Sequence, residues 1–234
     1  MRNKTSRDSR VAGAWACVAA CVMTAANLGA AAPRMSQNHV PASLEGVRLF
    51  SPKAASRNHI ALVNVGGAIP EEDWRLAATY AASRLQLNLW TNAIAASATD
   101  RLLADPAAVG RVLGNEHAKV GVFFERRGAG CGILAAPGAW CVVDVSSLTR
   151  DAPDKQTLRD RYAKMILKGL AAAAGGGATL EPFCSMFYGA QTLSGMDRTN
   201  IALAPMCYFP MIEILRHAGG HEMAFPAGSD ADGE

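Results

Sequence analysis

The residues best equipped for chemistry stand in the last third of the chain. Cys184-Ser185-Met186 follows a helix-like stretch, ILKGLAAAA, that runs into Gly175-Gly176-Gly177, and Cys207 lies further on. Thiols ligate metals as thiolates or join in pairs, so a Cys-x-Met after a glycine-ended helix poor in chemical groups is the stretch that needs explaining. His217 and His221 have the i, i+4 spacing that puts two metal ligands on one helix face. Gly219 and Gly220 between them break such a helix, which predicts an exposed tail. His39, His59 and His117 stand alone. Ser185 sits in no Gly-x-Ser-x-Gly elbow. The three glycines end a helix instead of starting one, so the groups they free are carbonyls, of the wrong polarity for phosphate.

The chain of 234 residues is half hydrophobic, enough for one domain with a full core. Residues 1–31 differ in kind. Arg2, Lys4, Arg7 and Arg10 precede an apolar, Ala-rich run ending in small residues, which predicts an export signal cut near Ala31 and a periplasmic or extracellular location. Val18-Ala19-Ala20-Cys21 also resembles a lipobox, so a lipid anchor at Cys21 is the alternative and the expected route to any membrane. There are 23 Lys+Arg against 20 Asp+Glu; four of the former and one of the latter fall in 1–31, leaving 19 of each. A neutral remainder carries no electrostatic footprint for nucleic acid. Of six cysteines, Cys17 and Cys21 lie in that signal. Cys131, Cys141, Cys184 and Cys207 remain, an even number that permits two disulfides in an oxidising compartment.

Stepwise along the chain, residues 32–57 lack periodicity and read as a linker or loose arm, and 58–218 as the folded domain. HIALVNVG (59–66) predicts a strand stopped by Gly66-Gly67. Pro70-Glu71-Glu72 predicts a helix start, with Trp74, Ala77, Ala78, Ala81 and Leu85 on its buried face. LNLW (87–90) reads as a strand. Asp105 is the expected N-cap of a short helix through Leu113. Two β signals follow, 118–126 and 132–145; if Pro137-Gly138 turns, Cys131 and Cys141 face each other across a hairpin and a local disulfide is possible. From Pro153 a long helix carries Leu158, Tyr162, Met165, Ile166, Leu170 and Ala173 on one face. A last helix is expected over 210–217, and a disordered tail over 219–234.

This order, with its spacing, resembles the archaemetzincins, a branch of the metzincin metallopeptidases. Their motif runs H-E-x-x-H-x-x-G-x3-C-x4-C-x-M and, later, C-x-x-C. Anchored on Cys184-Ser185-Met186, the motif glycine falls on Gly175, Met186 on the Met-turn, and Cys207 on the later cysteine pair after a three-residue insertion. The approach VSSL (145–148) is similar too. In such a site two histidines one helical turn apart hold zinc, the glutamate activates its water, and the glycine bends the chain toward a third histidine. Here the positions of the histidines are Lys168, Ala172 and Ala178, that of the glutamate is Gly169, and those of two further cysteines are Thr179 and Pro210.

The resemblance therefore implies the fold and argues against the activity. The fold class it implies is α+β: a small mixed sheet with an antiparallel edge strand, packed on two long helices, plus a C-terminal helix. Zinc is expected to be absent, and no catalytic residue is assigned. Lys168 is expected to turn outward, with a carboxylate partner such as Asp144 or Glu181 as the alternative. With two zinc cysteines gone, Cys184 and Cys207 are expected to form a disulfide beside Cys131–Cys141. The expected function is an exported, inactive pseudo-protease that binds an extended peptide or protein at a strand edge near 139–145, or serves a structural role. The alternative is an active zinc metallopeptidase whose ligands come from His217, His221 and Glu222.

Overall fold

The computed structural model describes residues 39–43, 51–52, 59–85, 89–94, 105, 108–114, 116–128, 132–151, 154–217 and 223–224. All of them belong to the second of the chain's two compact units, Ser36–Glu234. The expected export signal with Cys21, and Cys131, His221 and Glu222, lie outside the described residues.

The strands are β1 (Ser51–Pro52), β2 (His59–Val65), β3 (Leu89–Ile94), β4 (Ala118–Glu125), β5 (Ile133–Ala136), β6 (Trp140–Asp144) and β7 (Met223–Ala224). The helices among the described residues are α1 (Glu71–Leu85), α2 (Val109–Leu113), α3 (Lys155–Ala173), α4 (Leu193–Arg198) and α5 (Pro205–His217), with a 3₁₀ turn at Tyr188–Gln191. The main sheet has the order β3-β2-β4-β6-β5. Four strands are parallel and β5 is antiparallel at the edge. This is the small mixed sheet that the motif resemblance implies.

Parallel strands need cover on both faces, and β2, β4 and β6 are apolar along most of their length, with Asn64, Glu125 and Asp144 toward their C-terminal ends. Ile60, Leu62, Val120, Val122, Phe124, Cys141 and Val143 face one core with α1 and α3. Ala61, Val63, Phe123, Trp140 and Val142 face a smaller core with α2. Helix α1 starts at Glu71, with Glu72 and Asp73 beside its positive end. Asn64 clasps the preceding turn, donating to the Ile69 carbonyl at 2.8 Å and accepting from the Ile69 amide at 3.1 Å. That clasp holds the chain across Gly66 and Gly67, whose φ values of 59° and 66° suit glycine.

The run 132–145 is two strands, β5 and β6, folded at the Pro137–Ala139 turn, as the hairpin reading expects. Several other expectations are corrected. Asp105 does not cap α2: position 108 precedes the helix without a side-chain cap, and Asp105 accepts from the Arg111 guanidinium. The last helix begins at Pro205, a proline suited to a first turn, and runs through Pro210. Within the expected loose arm, Val40 is fully buried; its amide donates to Asp160 at 2.8 Å and its carbonyl accepts from Gln156 at 2.7 Å. That stretch is docked on α3. Within the expected disordered tail, Met223–Ala224 pairs antiparallel with Ser51–Pro52.

Candidate functional site

Helix α3 carries Lys168, Gly169 and Ala172 and ends at the motif glycine, Gly175. Asp154 caps it by accepting from the Thr157 amide at 2.7 Å. Its end is a Schellman arrangement: the Gly176 amide donates to Ala171 at 2.7 Å and the Gly175 amide to Ala172 at 2.9 Å. Gly175 has φ 79°, so the glycine of the motif stands where the backbone requires one.

One face of α3 carries three cations. Arg161, Lys164 and Lys168, spaced i, i+3, i+7, are all buried. Arg161 binds both carboxylate oxygens of Asp197 at 2.8 and 2.7 Å and donates to the Leu148 and Arg150 carbonyls, each at 2.7 Å. Lys164 donates to the Met196 carbonyl at 2.9 Å, and burial lowers its pKa. Lys168 donates to the Ala190 carbonyl at 2.6 Å. Ala190 and Met196 lie in the 3₁₀ turn and the last turn of α4, where backbone carbonyls favour positive charge. Lys168 thus does not turn outward. Of its two suggested carboxylate partners, Asp144 holds the loop after β6 through Arg127 and Ser146, and Glu181 is exposed.

The neighbouring position is shut in a different way. A Cβ on Gly169 would lie 2.6 Å from Val122 Cγ1 and 3.1 Å from Val143 Cγ2. Helix and sheet touch there, with no room for a carboxylate. Ala172 is half-buried and Ala178 exposed. The four positions of the zinc motif therefore offer no donor set, and the residues present do not fit a catalytic zinc. Among the described residues no group of three or more His, Cys, Asp and Glu side chains is arranged to hold a metal. His217 is exposed at the end of α5.

Beyond the glycines the chain returns on itself. The Thr179 amide donates to the Met186 carbonyl and the Tyr188 amide to the Thr179 carbonyl, both at 2.9 Å. Met186 therefore lies against Thr179, two residues past the last glycine, with its side chain packed on the main core. Cys184 is buried; its sulfur accepts from the Met186 amide at 3.3 Å and the Ala204 amide at 3.2 Å. Cys207, at the start of α5, is within hydrogen-bond reach of Cys184 and of the Thr179 hydroxyl; burial and then the Cys184 sulfur raise its pKa. The Thr179 hydroxyl also meets Met206 Sδ at 3.2 Å.

The counted motif thus brings Thr179, Cys184 and Cys207 together. Both cysteines are free thiols, not the expected disulfide. Cys141 is free as well, and the register places Ala135 opposite it, so a bridge across the hairpin to Cys131 does not follow. Thr179, Met206 and Cys207 line a cleft of about 510 Å³ with Gly175, Met211 and Ile214. Met206 is the residue that sequence reasoning missed; its only signal is a thioether next to Cys207.

The strand edge also moves. β6 is hydrogen-bonded on both sides, to β4 and β5, so residues 139–145 cannot accept another strand. Among the described residues the sheet edge on this side is β5, with β3 at the opposite edge. The Asp144 amide donates to the Gly132 carbonyl at 2.8 Å, which sets the alternation: even residues of β5 face β6, while Ile133 and Ala135 point their amides and carbonyls outward. Ile133 and Leu134 are exposed at 39% and 49%. At the hairpin tip the Gly138 amide donates to Ala173 at 2.7 Å, and Pro137 lies against Gly175, so the edge leads to the cleft. A larger hollow of about 950 Å³ at the start of β4 includes Arg111, Glu116 and Lys119. There Arg111 is spent on Asp105, and Lys119 on the Glu116 carbonyl.

The chain is similar in structure to archaemetzincins. Archaemetzincin from Methanopyrus kandleri is 17% identical, over 68% of this chain and 97% of that chain, with a TM-score of 0.49. A zinc-dependent peptidase from Methanocorpusculum labreanum is 15% identical, over 65% and 99%, with a TM-score of 0.49. Archaemetzincin from Archaeoglobus fulgidus, solved with malonate, is 15% identical, over 64% and 99%, with a TM-score of 0.45. No family model and no curated protein matches the chain. The fold class rests on the strand order and helix layers themselves.

Proposed function

We propose that the domain is a peptide-binding module on a metallopeptidase-type scaffold, with no hydrolytic activity of its own. The observation that carries the binding half is the free edge of β5. Ile133 and Ala135 present unpaired backbone groups outward, and the edge runs toward the apolar cleft at Gly175, Met211 and Ile214. An extended peptide adds to such an edge through main-chain hydrogen bonds, while alternate side chains find the cleft. The inactive half is supported by what fills the motif positions: Lys168 is committed to Ala190, and Gly169 to the sheet.

The test is a screen of extended, apolar-alternating peptides by fluorescence anisotropy, repeated on Ile133→Pro and Ala135→Pro. Proline at either position removes an outward amide without breaking the β5–β6 ladder, which an edge strand tolerates. Each variant is expected to weaken binding about fivefold, since the one lost bond is worth about 1 kcal/mol, and to keep the wild-type melting temperature. No enrichment of any peptide, or equal binding by the proline variants, would overturn the reading.

A further inference from the structure

Helix α5 is apolar on two sides. Met211, Ile212 and Leu215 are buried in the main core. The opposite side carries Met206, Phe209, Pro210, Glu213, Ile214 and His217, all of them exposed. They follow the i, i+3, i+4, i+7, i+8, i+11 pattern of one helix stripe, and the outer stripe of a surface helix is normally polar. Here four of the six are apolar, with Met206, Phe209 and Ile214 exposed at 64%, 66% and 40%. The stripe adjoins the turn beyond the glycines: Thr179 Oγ1 meets Met206 Sδ at 3.2 Å, and Leu180 lines the cleft with Met206 and Ile214. Leu180, Phe183 and Tyr188 on that turn are exposed as well. Taking about 200 Å² for a whole large side chain, Met206, Phe209, Ile214 and these three present roughly 700 Å² to solvent. The largest apolar patch on a monomer is usually about 300–600 Å².

We propose that this stripe is a homodimer interface, in which α5 packs antiparallel on α5 of a second copy across a two-fold axis. Three observations select that occupant. The exposed area approaches the roughly 800 Å² per partner of a standard interface. The stripe is also symmetric about the point between residues 211 and 212. An isologous pairing then sets Phe209 of each copy against Ile214 of the other, Met206 against His217, and Glu213 against Pro210, so no like charges meet. A lipid surface fits less well: the exposed carboxylates on these two segments are Glu181 and Glu213, where interfacial helices carry lysine and arginine. The inference goes beyond the peptide reading and does not rest on it. The mass of the chain alone tests the one, and peptide affinity tests the other.

The experiment is sedimentation velocity of the reduced full chain from about 1 to 100 μM, where a monomer–dimer equilibrium is expected for an interface of this size. Phe209→Lys and Ile214→Glu should each weaken self-association about 100-fold, since each change places two unpaired charges in the centre of the contact. Both side chains are exposed in the single chain, so the variants keep the fold, to be checked by circular dichroism. Mixed together, the two variants should pair with each other. The new lysine of one then meets the new glutamate of the other, while Phe209 still meets Ile214 at the symmetry-related contact. Leu134→Glu, on the β5 edge, should change nothing. The proposal is overturned by a chain that stays monomeric throughout, by association that survives Phe209→Lys, by association lost in Leu134→Glu, or by two variants that do not pair on mixing. Binding of the wild type, but not of Phe209→Lys, to phosphatidylcholine vesicles without any dimer would overturn it in favour of a lipid surface.

Discussion

The two sides of helix α3 answer the loss of a metal motif in opposite ways. Toward α4 and the sheet, the first two motif positions are filled: Lys168 joins Arg161 and Lys164 as buried cations meeting carbonyls and a carboxylate, and Gly169 lets the helix touch the strands. At the glycine end, the residues are left open. Thiols stay unpaired, the cleft is lined with small and apolar groups, and Leu180 and Met206 remain exposed at 87% and 64%. The first region has become core, where each group is satisfied by one geometry. The second keeps donors and surface without a fixed partner, and binding requires those. Loss of catalysis at one end therefore does not argue for loss of function at the other.

Putting the catalytic acid back should do the most damage. Gly169→Glu forces a carboxylate into the contact with Val122 and Val143, joining overpacking to an unpaired buried charge, and should cost about 4 kcal/mol or more. Urea unfolding of this variant would show little or no folded state, with no zinc-dependent hydrolysis. A variant that folds with wild-type stability would mean that the helix–sheet contact is not closed, and would return position 169 to the catalytic discussion.

Arg161→Ala probes the same region from the other side. It strands Asp197 and two carbonyls that a fully buried guanidinium now satisfies, and should cost about 3 kcal/mol by urea midpoint. The identical change should leave the rate of Cys207 labelling in the folded fraction unaltered, since that thiol lines the cleft at the glycine end. A large change of that rate in folded protein would show that the two regions are coupled instead of separate.

The difference also explains what the sequence could and could not reveal. The apolar faces of α1 and α3, the αL glycine at 175 and the turn at Pro137–Gly138 are local features, and periodicity or turn chemistry exposes them. The burial of Arg161, Lys164 and Lys168 is not local. Their partners are carbonyls at 148, 150, 190 and 196, and residue type alone predicts that lysine turns to water. Strand order is equally non-local, so the edge passed from 139–145 to β5. The cleft was legible only in part. Thr179, Cys184 and Cys207 fall into register by counting, whereas Met206 joins them only through the packing of α5 against the turn.

The smallest effect separates the thiols of the two regions. Cys141 lies fully buried in the sheet–helix core, and burial raises its pKa from 9.0 to about 12. The native state therefore holds a proton that the unfolded chain releases above pH 9, so this thiol's contribution is intact below pH 9 and falls as pH rises toward 12. By pH 10 the loss reaches about 1.4 kcal/mol. Cys141→Ala removes the titration, so the stability gap between wild type and variant should narrow by that amount between pH 8 and pH 10, read from paired urea midpoints. Thiol labelling of native protein supplies the other half: Cys207 at the open cleft reacts, while Cys141 waits for unfolding. A gap that stays constant with pH, together with rapid labelling of Cys141, would place an opening in the region described as closed, and the contrast between the two sides of α3 would fail there first.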